Sequence, residues 1–339
     1  MKAKTKSISV IVVAHKRKQF LLEAVNSVLK QSFNKNLYEI IVVKNFRDFA
    51  IDKILANEKV ENFYTKKSGL MEKFYLGMKH SSGDIICFLE DDDLFDSKKL
   101  NTVNNLFRKN KNLVFYHNNS IDVDANLKRI QIKRRQTPKR LIIQSNINDS
   151  LLKKLLFYGS DVNNSSITIR KSKYIDHLIN LRSLVTFADS AMFFLALAMN
   201  KELIIDNKKL TLWRRHQSSS MNINNNLKGY FDAKSVFKKN SIYGVETFLK
   251  YVKDTFPHSS LVIKYCEIYK KRWNFSILAL RDKRIPLKLF FWRFFDIIKN
   301  DNQKWKNLIG LLLRFFSWRL YIKVYHKTMV KLYRKSGVV

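Results

Sequence analysis

Residues 84–96 read DIICFLEDDDLFD. Five apolar residues, Ile85 to Leu89, run without interruption and stop at four consecutive carboxylates, Glu90, Asp91, Asp92 and Asp93. An unbroken apolar run of this length is what a strand covered on both faces requires. Four adjacent carboxylates repel one another unless a cation sits among them, and oxygen ligands suit Mg²⁺ or Mn²⁺ better than zinc. At a strand end, residues two apart point the same way, so Glu90 and Asp92 share one face and Asp91 and Asp93 the other. A solvated acidic loop, with Asp96 capping the helix that follows, is the alternative these residues leave open.

Working outward, Ser9–Ala14 is a second continuous apolar run, and Phe20, Leu21, Ala24, Val25, Val28 and Leu29 then repeat at helical spacing. Tyr38–Val43 (YEIIVV) and Val60–Tyr64 read as further strands, with a helix from about Gly69 to Lys79. Strand and helix in alternation predict an α/β fold with a mostly parallel sheet and helices on both faces. Ligands of such sheets bind beyond the carboxyl ends of the strands, where the acidic run falls. Downstream, Leu127–Ile143 is a basic ribbon or loop carrying Lys128, Arg129, Lys133, Arg134, Arg135, Lys139 and Arg140. Ser165–Ile169 reads as a strand, Ala188–Met199 as an apolar helix, and Leu210–Arg214 as a strand running into Arg215 and His216. From Leu227 everything reads as helix, which divides the chain into an α/β domain, 1–226, and a basic, aromatic-rich helical region, 227–339.

The 339 residues carry 64 Lys and Arg against 28 Asp and Glu, a formal charge of +36. Such an excess points to a polyanionic partner: nucleic acid, an anionic membrane face or a phosphorylated substrate. The charge is uneven, +6 over residues 1–125, +13 over 126–229 and +17 over 230–339. With 46% apolar residues, a disordered basic tail is excluded as the whole description. Eight Gly and three Pro favour long regular elements. No run reaches the roughly 18 apolar residues of a membrane span, and the stretch after Lys2, Lys4 and Lys6 reads as a first strand, not a signal peptide. Two distant cysteines, Cys87 and Cys266, fit a reducing cytoplasm.

With the acidic run in this setting, residues 7–220 resemble the family 2 glycosyltransferases, whose catalytic domain has the GT-A nucleotide-sugar fold. SVIVVAHKRKQFLLEAVNSVLKQ matches the family's first strand and helix, with Arg17 at the usual Arg, and YEIIVV its second strand. Gly69, Gly77 and Gly83 fall at the spacing of its third block, and FLEDDDLFDSKKL lies on its aspartate motif. FADSAMFFLALAM resembles the block of the catalytic base, and LTLWRRHQSSS the terminal strand that closes over the diphosphate. The resemblance implies an inverting, metal-dependent enzyme moving sugar from a nucleotide diphosphate sugar to a hydroxyl. It implies Asp189 as catalytic base, and Asp92, Glu90 and His216 as ligands of Mn²⁺ or Mg²⁺. Donor contacts would come from Ala14, His15, Arg17, Asn45, Lys73, Asp91, Asp93, Arg214 and Arg215, and acceptor contacts from Ser165 and Ser166. On the residues alone, Asp189 reads somewhat more readily as an N-cap of its helix than as a base, and His216 equally as an idle strand-end histidine.

Departures from the family pattern bear on the donor. Lys44-Asn45 stand where acidic residues commonly hold base and ribose, Phe74-Tyr75 replace an Arg-Asn pair, and Ala188 precedes Asp189 in place of Glu. In the last third, RIPLKLFFWRFFDIIKN and NQKWKNLIGLLLRFFSWRLYIKVYHKTMVKLYRK set Trp, Phe and Leu among Lys and Arg at helical spacing. This is the pattern of helices lying in a membrane interface, or of a bundle with aromatic stripes in its core. The expectation is therefore a glycosyltransferase held peripherally at the cytoplasmic face of the cell membrane, acting on a glycan or lipid-linked acceptor, with no nucleic-acid partner. The competing readings are a nucleic-acid-binding protein using the basic middle and tail, and a nucleotidyltransferase. The latter opens with a Gly-rich phosphate loop, whereas VVAHKRKQ has no Gly.

Overall fold

The run Ile8–Ala14 forms strand β1 and is enclosed over its whole length. The computed structural model, which describes residues 6–132, 136–144, 147–216, 227–280, 285–300 and 304–335, gives the reason. Val10 and Val12 face a core completed by Leu21, Ala24, Val25 and Val28 of helix α1 (Leu21–Leu29). Ile11 and Val13 face a second core that includes Met71, Phe74 and Met78. A strand with a helix on each side must be apolar at every position, which is why alternation is absent here.

The chain continues through β2 (Tyr38–Lys44), α2 (Phe49–Asn57), β3 (Glu61–Tyr64), α3 (Leu70–His80) and β4 (Ile85–Glu90). These four strands pair in parallel in the order β3-β2-β1-β4, so their carboxyl ends lie along one edge. Helix α3 sits close on β1: a Cβ built on Gly77 would lie 2.5 Å from Cγ2 of Ile11. Next come β5 (Leu94–Phe95), α4 (Lys99–Lys109), β6 (Leu113–Val123), β7 (Leu141–Ile143) and α5 (Asp149–Phe157). They are followed by β8 (Ile167–Arg170), α6 (Lys171–Leu178), α7 (Ala188–Ala198) and β9 (Glu202–Arg214).

Beyond β4 the parallel sheet becomes mixed. A short 3₁₀ turn, Asn164–Ser166, sits behind the carboxyl end of β4, so β8 leaves it running back down the sheet, antiparallel to both β4 and β6. Strand β9 is parallel to β6, and β5 and β7 pair with it in antiparallel fashion. Strand β6 escapes a hydropathy reading because its second half, HNNSID, is polar yet largely buried. Strand β9 likewise begins at Glu202, ahead of the expected Leu210, across the polar Asn207, Lys208 and Lys209. The basic segment after Leu127 leads through a bridge between Val123 and Arg129 to β7; Lys133, Arg134 and Arg135 lie outside the described residues, as do Gln217–Ser220.

The expected helices after residue 226 are present as α8 (Leu227–Thr255), α9 (Ser260–Leu280), α10 (Leu287–Asn300), α11 (Lys304–Phe316) and α12 (Trp318–Lys335). They do not form one appendage. Val245, Phe248, Leu249 and Val252 of α8, with Val262, Tyr265 and Cys266 of α9, belong to the same core as α7. Helices α10 and α11 instead share a small core around Phe290, Ile297 and Leu311 with the preceding Ile285, against which Phe275 of α9 packs, and α12 lies against α11. Among the described residues no helix is long and apolar enough to cross a membrane. Cys87 and Cys266 are buried free thiols.

Candidate active site

The acidic run lies at the carboxyl edge of the parallel strands, where β1 and β4 end side by side. The Asp91 N–H donates to the Val13 carbonyl at 3.0 Å, so the β1 ladder continues one residue beyond β4 and fixes where the carboxylates emerge. Ala14 closes β1, and His15 to Arg17 turn over its end, with Lys16 at φ 58°. Arg17 then reaches back across the edge. It pairs with Asp91 at 2.5 Å and Asp92 at 2.7 Å.

Each carboxylate has its own surroundings. Asp92 Oδ2 also meets His216 Nε2 at 2.9 Å. Burial opposes its ionisation, but the His216 hydrogen bond and the Arg17 charge outweigh this and hold Asp92 below its usual range. Glu90 and Asp91 are pushed up to about 7, in both cases by burial first and the charge of Asp92 second. Asp93 is driven well above its usual value for the same two reasons and accepts the Arg214 N–H at 2.9 Å. One carboxylate of the run, Asp92, thus carries charge most readily.

Glu90 does not join the Asp92–His216 pair. Its Oε1 accepts from Asn164 Nδ2 at 2.8 Å, and its N–H donates to Ser165 Oγ at 3.0 Å. Among the described residues no three His, Cys, Asp or Glu side chains converge as a ready metal site, so the expected trio of Asp92, Glu90 and His216 is not assembled. Among the described residues, Asp92 and His216 lie close enough to share an ion. Their 2.9 Å contact is a hydrogen bond, which a cation taking both atoms would replace. Arg17 holds the same Asp92 oxygen, so a cation there would share or displace it.

Three other expected donor residues form a cluster beside the run. Lys73 Nζ and Asn45 Nδ2 both donate to His15 Nδ1, at 3.2 and 3.1 Å. Two donors on one ring nitrogen assign the proton to Nε2. Burial, then Lys73, Lys16 and Arg17, push His15 down to about 4, so it is neutral at physiological pH. Burial lowers Lys73 to about 8 despite the opposing pull of Asp91 and Glu90. Asn45 Oδ1 in turn accepts the Lys16 N–H at 2.8 Å.

Arg214 and Arg215, the other expected donor contacts, are each held by a carboxylate and an aromatic ring. The Arg214 side chain is enclosed, donates to Glu23 at 2.6 Å and lies 4.1 Å over the Phe20 ring. Arg215 pairs with Asp122 at 2.7 Å and stacks on Trp213. Ser165 is fully buried: besides its bond to Glu90, its carbonyl accepts from Lys99 and Thr211, so it braces the acidic loop from behind. Ser166 has a different position. Its Oγ and Asn163 Nδ2 are buried without a protein partner, and both residues line a small recess with Trp213, Tyr158 and His117.

Asp189 stands in the first turn of α7, which Phe187 opens in the left-handed conformation at φ 71°. Its two oxygens accept the N–H groups of Asn163, at 3.1 Å, and Ser190, at 2.9 Å. Burial first and the charge of Asp161 second raise Asp189 to about 6, and Asp189 in turn raises Glu90. Behind it stands Asp161, which no local pattern in the sequence marks. Asp161 accepts from Tyr269 at 2.7 Å and from Ser190 at 3.2 Å, so a residue of α9 touches the Asp189 turn through one carboxylate. No sequence signal links positions so far apart.

The parallel sheet edge with its acidic run, the Lys73–His15–Asn45 cluster beside it and an Asp189 whose charge reaches Glu90 together make an α/β arrangement of the GT-A kind. The model of glycosyl transferase family 2 matches residues 9–178, and the chain belongs to that family. Asp189, Arg214, Arg215 and His216 lie beyond the matched segment. An uncharacterized glycosyltransferase of Rickettsia bellii is 29% identical over 121 residues, 34% of this chain and 17% of its own length. One from Nostoc sp. is 28% identical over 137 residues, 39% of this chain and 42% of its own length. The chain thus spans under half the length of these curated relatives. Among solved structures, S. aureus TarS 1-349 covers 97% of this chain and 91% of its own at 14% identity and TM-score 0.56. The same TarS segment in complex with UDP gives 13% identity, TM-score 0.55 and coverage of 91% and 80%. At such identities the likeness is one of fold, and it includes the helical region after the sheet.

Proposed function

We propose that this chain transfers a sugar from a nucleotide diphosphate donor to an acceptor hydroxyl with inversion, using Asp189 as general base. The observation that carries the reading is the pairing of an ionised, Arg17-bound Asp92 at the sheet edge with a carboxyl poised at about 6 on α7. A base works best when its pKa lies near the working pH, because it is then ionised yet still able to take a proton. Two backbone N–H groups hold both Asp189 oxygens, which fixes the direction from which the proton is drawn. The acceptor side is supported by the unpartnered Asn163 Nδ2 and Ser166 Oγ, which hydroxyls of a glycan would satisfy.

On the donor side, Arg17 and Lys73 supply the positive charge that a departing diphosphate requires. Neutral His15 presents its Nε2–H beside them, and Asn45 offers amide groups to a base edge. TarS is solved with UDP and with UDP-GlcNAc, which supports a nucleotide sugar as donor class. Asp92 and His216 are the residues that would hold Mn²⁺ or Mg²⁺. Such an ion supplies further neutralisation of the leaving diphosphate.

The same reading assigns the protein a peripheral membrane contact. Phe291, Phe295, Trp305 and Phe316 of α10 and α11 are more than half exposed, and Lys288, Lys299 and Lys306 of the same helices are exposed as well. Aromatic and basic residues on one exposed helical surface bind anionic lipid at about 1 kcal/mol per basic residue. To test the catalytic reading, the full chain is incubated with UDP-, GDP-, dTDP- and CDP-sugars with and without Mn²⁺, and released nucleotide is measured. Asp92→Asn and Asp189→Asn should each lower turnover by ~10²-fold or more. Folded variants with full activity would overturn the assigned roles.

A further inference from the structure

Helices α9, α10, α11 and α12 do not close completely on one another. They leave a cavity of about 620 Å³, within the range of sites that take a small ligand. Its walls are mainly apolar, from Phe275, Ile297, Leu311 and Leu313, yet four basic residues, Arg272, Arg293, Arg314 and Lys306, also line it. No acidic residue lines it among the described residues. The nearby carboxylate of Asp296 is bound by both Arg272 and Arg293, and so answers part of their charge. Arg314 instead caps α9, donating to the carbonyls of Ala279 at 3.0 Å and Leu278 at 3.1 Å.

Two further features indicate what fits. Ser276 lines the cavity and accepts from Lys238, an enclosed lysine that burial and its neighbour Lys234 push down to about 8. An anion near this group would favour its charged form. The cavity also reaches the outside through apolar residues: Ile309 and Val324 line it and are 57% and 43% exposed. Apolar depth, surplus positive charge and an opening onto exposed apolar helix faces fit an amphiphile better than a nucleotide or a peptide.

We propose that this cavity holds one hydrocarbon chain of an anionic membrane phospholipid, its phosphate answered by the basic lining. This deepens the membrane-contact part of the reading above. It makes helices α9 to α12 a lipid-binding module with an internal site as well as an adhesive surface.

The test uses the full chain and monomeric lipid, so that surface adhesion does not contribute. Lysophosphatidylglycerol and lysophosphatidylcholine with the same acyl chain are titrated by calorimetry below their micelle concentrations. Saturable one-to-one binding of the anionic lipid, at least tenfold tighter than the zwitterionic one, is expected. A Cβ built on Gly310 meets nothing within 4 Å, so Gly310→Phe would project a ring into the cavity and should abolish saturable binding. Gly310→Ala should leave it within twofold. Lys306 is exposed, so Lys306→Gln keeps the fold and should weaken the anionic lipid at least threefold with little effect on the other. Equal affinity for both lipids, no saturable binding, or a folded Gly310→Phe that binds like the parent would overturn the proposal. If Gly310→Phe does not fold, Lys306→Gln decides, and unchanged selectivity overturns it. Sedimentation of the parent with phosphatidylcholine vesicles containing phosphatidylglycerol separately tests the surface contact, so the two failures are distinguishable.

Discussion

Replacing Asp189 by Asn should make the protein more stable and nearly inactive at once. Burial and Asp161 raise the Asp189 carboxyl from 3.8 to about 6, so at pH 7.5 the fold holds a carboxylate that its surroundings disfavour. That difference corresponds to roughly 3 kcal/mol against the folded state. Asparagine removes the charge but offers one oxygen where Asp189 uses two, for the N–H groups of Asn163 and Ser190. Losing one of those bonds costs ~1 kcal/mol. The net expectation is a gain of about 1–2 kcal/mol at pH 7.5. Because the folded pKa is the higher one, the folded protein binds more protons between pH 4 and 6. The parent therefore gains stability as pH falls through 6, whereas the variant lacks this contribution, and the two should converge near pH 4–5. Urea unfolding at pH 7.5 and 5 measures both, alongside turnover, which should fall by ~10²–10⁴. An Asn variant that is less stable at pH 7.5, or equally offset at both pH values, would refute the claim that this carboxylate is held against its preference for function.

Three further outcomes follow from the same geometry. His216→Ala removes the 2.9 Å contact to Asp92 and should raise the Mn²⁺ concentration for half-maximal activity at least about tenfold, read from a metal titration of turnover. Tyr269→Phe removes the hydroxyl that stabilises Asp161 as an anion. With Asp161 harder to ionise, its pressure on Asp189 falls, so the acid limb of the kcat–pH profile should move to lower pH while KM for donor stays put; an upward move would contradict this. Gly83→Ala places a Cβ 2.8 Å from the Ile8 carbonyl carbon and the Ser9 nitrogen, where backbone must shift. It should cost ~1–3 kcal/mol in urea unfolding, with an undisturbed variant as the refuting result.

Much of the catalytic half was legible because its information is local. Strands β1 and β4 announce themselves as unbroken apolar runs, since each is covered on both faces. The acidic run marks the carboxyl edge by following β4 directly. Helix α3 and helix α7 were placed within a residue or so of their observed ends, because their apolar spacing is regular. What escaped depends on partners distant in sequence. Strand β6 is polar in its second half because its amides and hydroxyls pair inside the sheet, for example Asn118 with Lys99 and Thr211. Glu90 looked like a metal ligand by its alternation with Asp92, and its hydrogen bond from the distant Asn164 was not visible in that pattern. The side chains of Arg214 and Ser165 are likewise engaged by Glu23 and the acidic loop, which no local pattern reveals. The link from Tyr269 to the Asp189 turn spans the boundary drawn at residue 226, because charge composition marks where the chain becomes helical but not where its core ends.

The central claim is that the Asp92 edge of β4 receives a nucleoside diphosphate. The most direct measurement is a titration of the full chain with UDP, GDP, dTDP and CDP, each with and without Mn²⁺, followed by calorimetry in parallel with Asp92→Asn. Saturable binding of at least one of the four is expected, strengthened by Mn²⁺ and weakened about tenfold or more in the variant. Absence of binding by all four, or binding of equal strength in a folded Asp92→Asn protein, would contradict it.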